Sequence, residues 1–391
     1  MKKTLAAVAV LGAFAGSALA ADVQLYGIVD TGFLYAHGDT DQAGQANTDF
    51  DSFSMESGQA SGSRFGFKGT EDLGNGLTVG FILENGIKSD TGVDDGVFFN
   101  RESSLFLQGG FGKVAVGHLG SINNGTSSWG KYGMISAFGT SWGDYAAQAG
   151  TWAMGAGLWD NMIAYETPSF AGFKVYAQYA MGAEDNENES SSDRYYALGA
   201  TYANGPLNLY VAVDSINYKT AGVANAGDID DSLTVTLGGN YDFEVMKLFA
   251  GAQYFDEIQL SKMKGMVGNM DAGEFNSRTG AGTEGDPYKS GFASKMKGWS
   301  LGVSASVPVA GGDVLVGAAY VDAEAADSQA TQDDELSRWV VSAGYDYPFS
   351  KRTDVYGVVT YMQDSLKFTD TTKADQDPYL FGVMVGLRHR F

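Results

Sequence analysis

The last eleven residues, Phe381-Gly-Val-Met-Val-Gly-Leu-Arg-His-Arg-Phe391, constrain this chain more than any other stretch. In an extended strand, Phe381, Val383, Val385, Leu387, His389 and Phe391 share one face. Gly382, Met384, Gly386, Arg388 and Arg390 share the other, because strand side chains alternate. A soluble sheet holding such a strand needs a second layer over its apolar face, and the sequence offers none after Phe391. A strand apolar outside and polar inside is expected in a barrel set in lipid, closed so that no edge groups stay unpaired.

Residues 1–20 read as a secretory signal: Lys2 and Lys3, an apolar run, then Ala18-Leu19-Ala20 as the cleavage pattern. The expected division is a cleaved signal over 1–20 and a single barrel domain over 21–391. No stretch approaches the roughly 18 apolar residues of a transmembrane helix, which excludes a helical membrane protein. Without the two signal lysines, 23 basic residues face 47 acidic ones, a balance of −24. That disfavours nucleic acid as a partner. There is no cysteine, hence no disulfide framework or thiolate metal site. No linker or repeat divides the chain, and one large closed sheet is the simplest arrangement.

Alternation and turn residues predict sixteen strands. The first covers 23–35, followed by a polar loop over 37–62 and strands over 63–71 and 77–84. Hairpin pairs follow: 98–108 with 113–119, 161–167 with 173–182, 194–203 with 207–217, and 232–241 with 246–255. Then 298–307 pairs with 313–321 and 337–347 with 353–365, and 379–391 closes the ring. Seven short turns alternate with eight longer polar loops, the periplasmic and external asymmetry of bacterial outer-membrane barrels. Pro168, Pro206, Pro308 and Pro348 all fall in short turns, where a missing amide hydrogen costs no ladder bond. A soluble β-sandwich would share the alternation but have shorter strands and no systematic short–long loop pattern.

Four segments carry a family likeness. They are Val23-Gln-Leu-Tyr-Gly-Ile-Val-Asp30, Ser63-Arg-Phe-Gly-Phe-Lys-Gly-Thr-Glu-Asp-Leu-Gly-Asn-Gly76, Asn161-Met-Ile-Ala-Tyr-Glu-Thr-Pro-Ser-Phe-Ala-Gly-Phe173 and Gly386-Leu-Arg-His-Arg-Phe391. With them the chain resembles the trimeric general porins of Gram-negative bacteria, particularly the betaproteobacterial and neisserial type. The resemblance implies a sixteen-stranded homotrimer passing small hydrophilic solutes by diffusion, exported to the outer membrane, with its third loop folded into the pore. It also implies that Phe391 is part of the signal read by the barrel-insertion machinery.

Residues 120–160 stand out without that likeness. Loops this long usually serve function. This one holds Trp129, Trp142, Trp152 and Trp159, four of the six tryptophans, and only Lys131, Asp144 and Asp160 as charges. So much aromatic surface suits a segment packed on the inner wall, and the stretch reads as the constriction loop. Facing it, parity places Arg64, Lys68, Lys174 and Arg388 on the inner side, with Glu84, Glu102 and Glu166 on the same face of their strands. Rings of charge set ion preference by local potential. In similar porins basic residues commonly stand where this chain has Ala164 and His118. With the −24 balance, this gives an expectation of weak cation preference.

No enzyme is expected. Histidine occurs only at 37, 118 and 389, with no nucleophile elbow and no metal-ligand spacing. No cofactor is expected either. Two alternatives remain open. The tryptophans would suit a channel specific for a sugar or aromatic solute. A plugged adhesin or structural barrel is opposed by the glycines and small polar residues of the inner faces, which leave nothing to pack.

Overall fold

The computed structural model describes residues 22–39, 49–125, 127–139, 151–153, 157–182, 193–218, 230–259, 295–328, 333–371 and 374–391. The expected signal over 1–20 lies outside them. Seventeen strands are present: β1 (Gln24–Asp39), β2 (Asp49–Ser57), β3 (Arg64–Gly74), β4 (Leu77–Gly86), β5 (Glu102–Gly109), β6 (Gly112–Gly120), β7 (Leu158–Glu166), β8 (Phe173–Ala180) and β9 (Arg194–Asn204). They continue as β10 (Leu207–Asn217), β11 (Leu233–Asp242), β12 (Lys247–Gln259), β13 (Lys295–Val309), β14 (Gly312–Ala325), β15 (Glu335–Pro348), β16 (Thr353–Lys367) and β17 (Tyr379–Arg390).

All pairings are antiparallel, and the sheet closes on itself. β1 runs beside β17 from Ile28 opposite Arg390 to Asp39 opposite Tyr379. Phe391 extends the closure, exchanging backbone hydrogen bonds of 3.1 Å in both directions with Gly27. Sixteen strands form the ring, as the sequence predicts. The seventeenth, β2, lies in the stretch expected to be a polar loop. The lower part of β1 pairs with β3 and the upper part with β2, Thr31 opposite Ser57 through Asp39 opposite Asp49. Its polar composition hides an outward alternation of Phe53 and Met55. Phe53 stacks on Phe33 with ring centres 5.6 Å apart.

Most strands alternate in the sense opposite to a soluble sheet. On β13, Trp299, Leu301 and Val303 are 42, 50 and 48% exposed, whereas Ser300 and Ser304 are 1 and 3%. The apolar face looks outward because lipid offers no hydrogen-bond partner, and the inner face carries the polar groups. Toward the long-loop side the belt ends in an aromatic girdle. There Trp299 packs on Tyr320, Trp339 on Tyr361, and Tyr361 on Tyr379, with centres 5.1 to 5.9 Å apart. Such rings bridge apolar and wet layers.

This orientation has a direct test. Val303→Arg, mid-strand on the outer face, should destabilise the barrel by about 2–4 kcal/mol in urea-dependent folding into vesicles. A loss below about 1 kcal/mol would mean that Val303 does not face hydrocarbon.

Candidate functional site: the inner wall and the third loop

After β6, residues 121–125, 127–139 and 151–153 lie against the inner face of β8–β14. A chain of specific hydrogen bonds fastens them. The amide of Ile122 donates to Gln178 Oε1 at 2.7 Å, and Gln178 Nε2 donates to the Gly120 carbonyl at 3.1 Å. Asn123 bridges the Asp214 carboxylate and the Tyr210 hydroxyl. Asn240 Nδ2 donates to the carbonyl of Met134, in the short 3-10 turn Tyr132–Met134, at 2.9 Å. The amide of Ala137 donates to Ser304 Oγ at 2.9 Å, and that of Ala153 to Gln253 Oε1 at 2.8 Å. Ser300 Oγ donates to the Thr151 carbonyl at 2.5 Å.

Glycines of the wall seat the large side chains of the loop. A methyl group added at Gly251 would come within 2.9 Å of the Trp152 ring, and one at Gly317 within 3.0 Å of the Phe138 ring. Small inner residues do have something to pack against on this wall: their smallness makes room for the loop. Trp129 and Trp152 are buried. Trp159 belongs to β7 and stacks on Tyr195 at 5.3 Å. Trp142 and Asp144 lie outside the described residues.

The arc from β17 through β1 to β8 carries charge. Glu84 accepts from Tyr26 at 3.0 Å and from Arg101 Nε at 2.7 Å, with Arg64 Nε 3.5 Å away. Glu102 accepts from Ser104 at 2.8 Å and from the amide and hydroxyl of Ser128 at 3.0 and 2.9 Å, tying the loop to β5. Lys68 is exposed, with its Nζ 5.0 Å from the centre of the Tyr26 ring. Lys174 pairs with Glu166 at 3.4 Å, and Lys131 Nζ stands 5.0 Å over the Tyr176 ring.

Arg388 binds Asp354 at 2.8 Å, Asp346 at 3.0 Å and Ser61 Oγ at 2.8 Å, while Arg390 reaches Asp354 at 2.5 Å. Asp30 accepts from the amides of Ala60 and Ser61 at 2.9 and 2.6 Å and from Tyr356 at 2.6 Å. These bonds fold the residues between β2 and β3 against the inner wall.

Arg64, Lys68, Glu84, Glu102, Glu166, Lys174 and Arg388 therefore share the inner surface with Lys131. Asp160 does not. It lies in β7, facing outward, with its carboxylate 2.5 Å from His118 Nδ1. The cause is a bulge: Asn161 adopts φ 53°, and the register slips by one residue beside Gly117 and Leu119, turning Asp160 to the other face. Sequence reasoning passed over Arg390, which parity places beside Arg388, and Lys113, at the start of its strand. It also passed over Arg101, which the expected strand 98–108 turns to the face opposite Glu102, whereas β5 begins only at Glu102 and Arg101 reaches Glu84.

A closed ring with an apolar outer belt, a charged inner wall and one long loop fastened to that wall defines a channel-forming barrel of the bacterial outer membrane. The chain belongs to the Gram-negative porin family, which it matches over residues 6–366. It is 34% identical to an outer membrane porin protein of Bordetella pertussis, over all of both chains. It is 36% identical to the major outer membrane protein P.IB of Neisseria meningitidis over 52% of this chain and 56% of that one. Among solved structures it is similar to the anion-selective porin from Comamonas acidovorans. The identity there is 28%, the TM-score 0.63, and the match covers 95% of this chain and all of that one. The function is passive diffusion of ions and small hydrophilic solutes across the outer membrane. A family of channels fits the reading that the chain is not an enzyme.

Proposed function

We propose that the third loop narrows this porin to a constriction between its own surface and the charged arc of β17, β1 and β3–β8, and that the constriction prefers anions weakly. The carrying observation is how carboxylates are shared. Glu84 serves both Arg64 and Arg101. Glu166 lies among Lys113, Lys131 and Lys174. Cations thus outnumber carboxylates beside the loop, and local potential, not net charge, acts on an ion in a narrow passage.

The expectation of cation preference counted the whole chain, much of whose negative charge is in loops. The acidic run 184–189 lies outside the described residues, and exposed loop charge is screened within about 8–10 Å. The similar Comamonas protein, anion-selective by its description, supports the same sign. Bilayer recordings in a tenfold KCl gradient should give a zero-current potential of the chloride-permeable sign, with an anion-to-cation permeability ratio of roughly two. A cation-selective potential would overturn the proposal.

Stepwise closures in threes in the same recordings would test a homotrimer. Its support is the family likeness and the exposed apolar Val93, Val97 and Phe98 between β4 and β5. Lipopolysaccharide is the proposed outer-leaflet neighbour of Lys297 and Lys367, which follow the girdle on the long-loop side. The exposed Phe391 ring, at the closing edge, supports its reading as part of the insertion signal.

A further inference from the structure

The short-turn side of the third loop carries a group of charges that simple diffusion does not require. Lys113 on β6 lies opposite Glu166 on β7, and Glu166 lies opposite Tyr176 on β8. Residues so paired have Cβ atoms about 4.5–5.5 Å apart. Lys174 precedes Tyr176 by two residues, shares its face, and reaches Glu166 Oε1 at 3.4 Å. Lys131 descends from the loop onto the Tyr176 ring, its Nζ 5.0 Å from the centre. Lys113 Nζ is 4.4 Å from the Phe106 ring and 5.1 Å from Trp129.

Aromatic faces thus hold two of the three ammonium groups in place without neutralising them. Among the described residues, Lys174 forms the one ion pair of the trio. Three ammonium groups share Glu166, with Glu102 acting on Lys113 while bound to Ser104 and Ser128, and the group stays net positive with spare N–H donors. A monovalent ion needs no such arrangement. A compact anion with several acceptor oxygens matches it in sign and in donor count, since lysine binds phosphate oxygens as a point charge.

We propose that Lys113, Lys131 and Lys174 form a saturable subsite for a tetrahedral oxyanion of the phosphate class, on the periplasmic side of the third loop. The subsite rests on the channel reading above and deepens it: the same wall that favours anions in general retains a dianion for longer. A retained ion blocks the chloride current while it is bound.

The test is single-channel chloride current at fixed KCl, pH 7.5, with added potassium phosphate, against a control matched in ionic strength with KCl. The current should fall saturably, with half-block at millimolar phosphate. Lys113→Gln, Lys131→Gln and Lys174→Gln should each raise the half-blocking concentration about tenfold, while Lys→Arg at the same positions keeps it within about twofold. Lys247→Gln, over the Phe249 ring on another part of the wall, should leave it unchanged. Chloride current with no saturable fall, or an equal effect of Lys247→Gln, would overturn the subsite and leave the channel reading standing. No chloride current from inserted protein would overturn both.

Discussion

Replacing residues 123–156 with a short glycine–serine linker should raise single-channel conductance on the order of twofold and bring the ion preference toward neutral. The ladder should survive, because β6 ends at Gly120 and β7 begins at Leu158, so the excision removes no strand pairing. What it removes is the segment fastened through Asp214, Asn240, Gln253, Ser300 and Ser304. The wider passage would put more water between a crossing ion and Arg64, Lys174 and Glu166, and screening weakens their hold on it.

A single substitution approaches the same result from the wall. Gly251→Leu places a side chain where the Trp152 ring now sits, so the loop must leave its seat while the strand keeps its hydrogen bonds. Noisier and larger current is expected from folded Gly251→Leu barrels. Unchanged conductance in both variants would mean that the passage is narrowest elsewhere, and the residues between β2 and β3, held by Asp30 and Arg388, would be the next segment to excise.

The ease with which this fold is read follows from the period of the strand. One face meets lipid and the other does not, so alternation had to be written into Trp299 through Val303 and into Leu233 through Leu237, and it survives without knowledge of any contact. The same regularity assigned Arg64, Lys68, Glu84, Glu102, Glu166, Lys174 and Arg388 to the inner face. It fails wherever one residue is inserted. Asn161 interrupts the count, and Asp160 emerges beside His118 on the outer surface.

Composition misleads in a different way at β2. Asp49, Asp51, Ser52, Ser54 and Glu56 look like a loop, yet Phe53 and Met55 carry the outward alternation and β1 supplies the ladder. The expected strand 98–108 misplaces Arg101 by alternating it away from Glu102; its place beside Glu84 depends on the turn that precedes β5. The seat of the third loop was legible only by half. Its tryptophans announce burial, but the glycines that receive Trp152, Phe138, Ile135 and Ile122 are spread over several strands, and only the closed ring brings them together.

Parity also says nothing about whether an inward charge meets water, and Arg338 with Asp364 makes the distinction testable. The two residues stand opposite each other on β15 and β16, with both side chains 0% exposed. Arg338 Nε lies 2.5 Å from Asp364 Oδ1 and its terminal nitrogen 2.7 Å from Oδ2, a bidentate pair. The buried apolar side chains of Leu336, Val340, Met362 and Leu366 flank it along the same two strands.

Asp364→Leu should cost about 3–5 kcal/mol in urea-dependent folding, because it takes the bidentate carboxylate from a guanidinium that is buried from water. The double variant Arg338→Met with Asp364→Leu should recover most of that loss, since two apolar chains of similar size leave no charge to compensate. Both should conduct with the wild-type ion preference once folded, as a pair sealed from the lumen exerts little pull on a passing ion compared with Arg64 or Lys174. A cost below about 1 kcal/mol for the single variant would place the pair in water. A shift in zero-current potential would return Arg338 to the pore wall, and burial would then have to yield to parity as the criterion for which inward charges an ion feels.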